Sequence, residues 1–105
     1  MRTLVENKIA PLLPHAEARA STIAKQLGFS ERTFSRRLQS EGLTFPGILD
    51  DLRRDLAARY LEDRNLSISQ IAWMLGFRQP GSFSHACRRW LGLSPQEYRG
   101  ASSVN

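Results

Sequence analysis

Arg32 and Arg36 stand four residues apart in the run ERTFSRRLQS, a spacing that sets both on one face of a helix. With Phe34 facing inward, steps of about 100° per residue put both guanidinium groups on the opposite side. Ser35 and Gln39 flank them there. A guanidinium donates two parallel hydrogen bonds to O6 and N7 of guanine, and each such pair gives roughly 1–3 kcal/mol of discrimination between bases. The same spacing also suits a plain solvated helix face. The surrounding sequence tilts the choice, because it occurs twice. Ile23, Ala24, Leu27, Gly28 and Phe29 return as Ile71, Ala72, Leu75, Gly76 and Phe77, all shifted by 48. After one extra residue, Phe34 and Ser35 return as Phe83 and Ser84. Each copy reads as a short helix, a turn at glycine and a second helix. That is the layout of a helix-turn-helix, whose second helix enters a DNA groove.

The outward positions are not duplicated. Under the later offset of 49, Arg32 corresponds to Gly81 and Arg36 to His85. Glycine has no side chain to read a base, and a neutral imidazole is a weaker reader than a guanidinium. Arg78, Arg88 and Arg89 remain close enough to reach phosphates. The expected division is therefore unequal: the first copy reads sequence strongly, and the second adds backbone contact and weaker base choice. The candidate DNA-contacting set is Arg32, Ser35, Arg36, Arg37 and Gln39 in the first copy, with Arg78, Gln79, Ser82, His85 and Arg88 in the second.

The elements that must hold these side chains are all helical. Apolar residues recur at helical spacing almost throughout, with no sustained alternation, so the chain is predicted to be all-α with seven helices. The first should run from about Thr3 to Leu13 with Leu4, Val5, Ile9, Leu12 and Leu13 inward, ended by Pro14. Ser21 is the expected cap of the second helix, and Gly28 its stop. Ser30 caps a third helix from Glu31 to about Ser40. Thr44 opens a long fourth helix to about Asp63, with Phe45, Ile48, Leu49, Leu52, Leu56, Tyr60 and Leu61 inward and Asp50, Asp51, Arg53, Arg54, Asp55 and Arg59 on its polar face. Five of the ten acidic residues fall between Asp50 and Asp63, so this helix serves as a connector rather than a DNA surface. Its roughly 28 Å length suits the spacing of two adjacent major-groove segments, ~34 Å apart. Ser67 and Gln70 have capping-box spacing for the fifth helix. The sixth runs from Pro80 to Gly92. Ser94-Pro95-Gln96-Glu97 announces a short seventh helix through Tyr98. The predicted boundaries are 1–43 for the first helix-turn-helix subdomain, 44–64 for the connector, 65–99 for the second subdomain and 100–105 for a frayed tail.

Composition narrows the partner. In 105 residues the net charge is +5, and thirteen of the fifteen cations are arginine, whose planar donor fork suits phosphates and guanine edges. No apolar run approaches the ~18 residues that span a bilayer, and the N-terminus makes a poor signal peptide. Membrane contact is therefore not expected, and cytoplasmic localisation is the default. With Cys87 the sole cysteine, an internal disulfide is impossible. On the apolar face between Phe83 and Trp90 it reads as a core thiol, not a nucleophile. His15 and His85 lie far apart with no second cysteine, which gives no support to a metal site. No phosphate-binding loop or hydrolase motif is present, so neither enzyme activity nor a cofactor is expected. Trp73, Met74, Trp90 and Tyr60 read as packing residues rather than base-stacking platforms.

The run IAWMLGFRQPGSFSHACRRWLGLSPQEYR resembles the C-terminal signature of the AraC/XylS transcription regulators. Ile71, Gly76, Phe77, Phe83, Gly92, Ser94, Pro95, Tyr98 and Arg99 fit it, and GFSERTFSRRL resembles the family's first motif. The resemblance covers roughly residues 20–99 and implies a seven-helix DNA-binding domain with two helix-turn-helix units. It implies base contact at Arg32 and Arg36. His85 stands at the matching position of the second unit, where the family commonly has arginine, and Cys87 where it often has phenylalanine. The expected function is sequence-specific binding of double-stranded DNA by a bacterial transcription regulator, an activator that also meets RNA polymerase. An effector or dimerisation domain is expected to be missing from this chain. The alternative is an interaction module whose second unit contacts polymerase or a sensor domain instead of reading bases.

Overall fold

The computed structural model describes residues 1–102, and among them it has seven α-helices, one 3-10 segment and no strand. The helices are α1 (Arg2–Ile9), α2 (Ala20–Gln26), α3 (Glu31–Ser40), α4 (Phe45–Glu62), α5 (Ile68–Met74), α6 (Pro80–Leu91) and α7 (Pro95–Ser102). The chain divides into two units, Met1–Leu52 and one beginning at Arg53, so the boundary falls among the residues of α4.

In the first unit, Val5, Ile9 and Leu13 form a buried stripe with a spacing of four, and Ile23, Ala24, Phe34, Leu38 and Ile48 are buried as well. The expected single helix to Leu13 is instead α1 followed by a 3-10 segment, Ala10–His15. Pro11 and Pro14 each remove a backbone donor, and the tighter turn tolerates that loss better than a continuing α-helix. Leu4 was expected inward but is 48% exposed, because the buried stripe runs one residue away. The cap of α2 also moves. Ala16 at φ 55° ends the 3-10 segment, and Arg19, in extended conformation, becomes the N-cap with no side-chain hydrogen bond. Ser21 therefore lies inside the first turn of α2.

The caps of α3, α4 and α5 match expectation. The Thr33 N–H donates to Ser30 Oγ at 3.2 Å, and the Gly47 N–H donates to Thr44 Oγ1 at 3.1 Å. Ser67 and Gln70 form a reciprocal capping box at 3.0 and 2.8 Å.

In the second unit, Ala57, Leu61, Ile71, Ala72, Leu75, Phe83 and Cys87 make the core. Ser94 and Glu97 form a second reciprocal box opening α7. That helix runs on through Gly100 to Ser102 instead of ending at Tyr98, and the rest of the expected tail lies outside the described residues. Two expectations fail here for reasons of helix facing. Trp73 is 52% exposed, since Ile71, Ala72 and Leu75 already occupy the inward face of the short α5. Arg53, assigned to the polar face of α4, is half-buried, and its Nε donates to the Leu75 carbonyl at 2.9 Å.

The observed cores extend the repeat. Val5, Ile9 and Leu13 correspond, at the same shift of 48, to Arg53, Ala57 and Leu61. Each unit is thus a helical segment followed by a helix-turn-helix, closed by a Thr44 or Ser94 cap.

Candidate nucleic-acid interface

The two turns are built alike. Gly28 and Gly76 take φ of 79° and 90°, a left-handed conformation that strains any residue with a Cβ. A Cβ on Gly28 would meet nothing within 4 Å, so backbone conformation and not space selects glycine there. Past each glycine the chain folds back, and the Phe29 and Phe77 N–H groups donate to the Ala24 and Ala72 carbonyls at 2.8 and 2.9 Å. Phe34 and Phe83 are buried beneath the second helix of each pair.

On α3, the buried Phe34 and Leu38 leave Arg32, Ser35, Arg36 and Gln39 exposed together on the outward face. Arg37 is exposed too, but it lies to one side, with its guanidinium carbon 5.4 Å from the Phe29 ring centroid. Glu31 occupies the first turn, and Ser30 caps it.

The second unit presents a different surface. Arg78 and Gln79 lie in the turn before α6, and Gln79 is the N-cap without a side-chain hydrogen bond. Ser82, His85 and Arg88 are exposed along α6, with Gly81 beside them. No acidic residue stands in the first turn of α6. The lack of a side-chain cap and the positive end of the helix favour an anion there. Arg89 sits with its guanidinium carbon 5.6 Å from the Trp90 ring centroid. All ten candidate contact residues are therefore exposed, five on each unit.

Two arginines do work the sequence did not advertise. Arg99 donates from Nε to the Leu61 carbonyl at 3.0 Å and from its terminal nitrogen to the carbonyls of Asp63 and Leu66. It bonds the Leu61 carbonyl in the last turn of α4 and two carbonyls of the link between α4 and α5. Arg53 acts on the α5 turn in the same manner. Nothing in the local spacing of either residue signals these distant carbonyl partners. Cys87 is fully buried, and burial pushes its thiol up, which keeps it neutral and unreactive. Among the described residues no group of three or more His, Cys, Asp or Glu side chains could hold a metal ion. No described helix is long and apolar enough to cross a membrane.

Comparison with known proteins agrees with this geometry. The helix-turn-helix domain family matches residues 23–101. The HTH-type transcriptional regulator VirS of Mycobacterium tuberculosis is 42% identical over 94 residues, covering 90% of this chain and 28% of VirS. The ornithine utilization regulator of Pseudomonas aeruginosa is 41% identical over 78 residues, covering 74% of this chain and 23% of that protein. The chain thus spans less than a third of the length of either curated relative. Among solved structures, a DNA-binding transcriptional dual regulator from Escherichia coli K-12 aligns with a TM-score of 0.91 at 25% identity, over 99% of this chain and 93% of that one. The DNA-binding domain of AdpA, solved in complex with a target DNA, aligns with a TM-score of 0.76 at 32% identity, over 95% of this chain and 93% of that one. These relatives are transcription regulators and not enzymes. Two glycine-turned helix pairs and the family match over residues 23–101 together place the chain in the AraC/XylS family, as a helix-turn-helix DNA-binding domain.

Proposed function

We propose that the chain binds double-stranded DNA sequence-specifically as part of a bacterial transcription activator, with α3 in one major-groove segment and α6 in the next. The observation that carries this reading is the exposed row Arg32, Ser35, Arg36 and Gln39 on a helix anchored by buried Phe34 and Leu38. Arg32 and Arg36 take the base-reading role. The second unit holds phosphates through Arg78, Arg88 and the uncapped start of α6, with His85 adding a weaker base preference. RNA polymerase is the expected protein partner, and effector sensing belongs to sequence outside this chain. Contact with 6–10 phosphates makes affinity fall by roughly 10³–10⁵ between 50 and 200 mM salt.

Selection of bound duplexes from a random pool tests the reading. The expected result is two half-sites of unequal strictness, the tighter one lost with Arg32 and Arg36. A pool that emerges without sequence preference would overturn it.

One observation favours a second reading, in which the second unit meets a protein. Trp73 is 52% exposed on α5, beside Ser69, Gln70 and Met74. Trp73→Ala that lowers transcription without changing DNA affinity would support this alternative.

A further inference from the structure

The phenylalanine of each turn carries an arginine, but the two arginines come from different helices. In the first unit Arg37 of α3 lies over Phe29. Its counterpart at the shift of 49 is Ala86, which is buried and has no cation to offer. The second unit takes its arginine from α4 instead, and the guanidinium carbon of Arg53 lies 5.1 Å from the Phe77 ring centroid. In the first unit the position equivalent to Arg53 is Val5, an apolar residue with no exposure. The guanidinium of Arg53 makes two contacts at once. Its face covers the Phe77 ring, and its Nε–H donates to the Leu75 carbonyl at 2.9 Å, one of the acceptors left open at the end of α5. Phe77 in turn stacks on Phe83 of α6 with ring centroids 5.8 Å apart, and meets Trp90 at 6.1 Å.

We propose that Arg53 is a positioning residue for DNA recognition by the second unit, holding α6 in place through the Phe77–Phe83 stack while making no DNA contact itself. The chemistry requires arginine. A planar guanidinium can stack by its face while donating from its edge, whereas a lysine ammonium is a point charge with no planar face. The role in DNA recognition rests on the DNA-binding reading of α6, whereas the hold on α6 itself does not.

The first test needs no DNA. Hydrogen exchange is measured residue by residue in the wild type, Arg53→Ala and Arg53→Lys. Loss of the planar group that covers the ring while bonding the carbonyl should speed exchange of α6 amides roughly tenfold in both variants, with α3 amides unchanged. Arg53→Lys keeps the charge and the aliphatic stem, which guards against a variant that fails to fold. Unchanged α6 exchange in both variants, or full rescue by lysine, overturns the proposal. The second test compares affinity for a selected duplex with affinity for the same duplex shortened so that the half assigned to α6 is absent. Arg53→Lys should lose roughly tenfold on the first and little on the second. Equal losses on both duplexes mean general destabilisation and also overturn it. If the wild type binds the shortened duplex as tightly as the full one, the DNA reading of α6 fails, and the exchange result alone decides whether Arg53 holds α6.

Discussion

Where the first unit sets Arg32 and Arg36 on the outward face of α3, the second sets Gly81 and His85 on α6, although the cores beneath are closely matched. Ile23, Ala24 and Phe34 are buried in one unit, and Ile71, Ala72 and Phe83 at the equivalent positions of the other. The caps differ along with the faces. Ser30 and Glu31 close the start of α3, whereas α6 begins at Pro80 with neither a side-chain cap nor an acid in its first turn. A core must be filled to close packing whatever the partner, so its residues are constrained in both copies. An outward face is constrained only by what it touches. Here the first face offers directional donors and the second offers positive potential.

The comparison breaks if the cores are unequal. Phe34→Ala and Phe83→Ala should be the most damaging changes, each costing about 3–5 kcal/mol. Urea unfolding followed by amide signals from each unit would test this. A loss below about 1 kcal/mol in either unit would show that the two phenylalanines do not hold equivalent cores.

The recognition faces come next. Arg36→Ala should cost roughly 1–3 kcal/mol of binding and relax preference at one base position, while His85→Ala should cost less. The reverse graft sharpens the point. A Cβ at Gly81 would meet nothing within 4 Å, so Gly81→Arg with His85→Arg is sterically open. It should raise sequence strictness in the half-site assigned to α6, read by selection from a random pool. Equal losses from Arg36→Ala and His85→Ala would remove the asymmetry.

The smallest effect concerns the cap that only the second unit builds around a glutamate. Hydrogen bonds from the Ser94 backbone and hydroxyl hold the Glu97 carboxyl below its ordinary range. A lowered folded pKa adds stability above the ordinary glutamate pKa of about 4.3 and loses it as pH falls through the folded value. The Tm difference between wild type and Glu97→Gln should therefore shrink on acidification below about pH 4. A difference that stays constant through that range would mean the carboxylate charge contributes nothing.

Much of this architecture was legible because it depends on short-range chemistry. Ser30, Thr44, Ser67 and Ser94 each announced a helix start through hydrogen bonds to residues three positions away. Gly28 and Gly76 announced turns through a conformation other residues avoid. The exposure of Arg32, Ser35, Arg36, Gln39, His85 and Arg88 followed from placing Phe34 and Phe83 inward. The misreadings involve competition instead. Leu4 and Trp73 are apolar and were expected inside, but other residues already filled the inward faces of their helices. Pro11, within the expected first helix, converted its end to a 3-10 segment.

The sequence by itself determined seven helices, two glycine turns, the buried phenylalanines and the unequal outward faces, because caps, periodicity and glycine conformation act over a few residues. Only the tertiary structure decided what the other arginines do. Arg37 braces Phe29, Arg53 joins α4 to the second turn, and Arg99 closes three carbonyls near the end of α4. An arginine in a basic chain carries the same charge whether it faces solvent or a carbonyl 22 or 38 residues away. Folding brings those partners within reach, and it separates arginines left exposed on the outward face of α3 from those that bond carbonyls elsewhere in the chain.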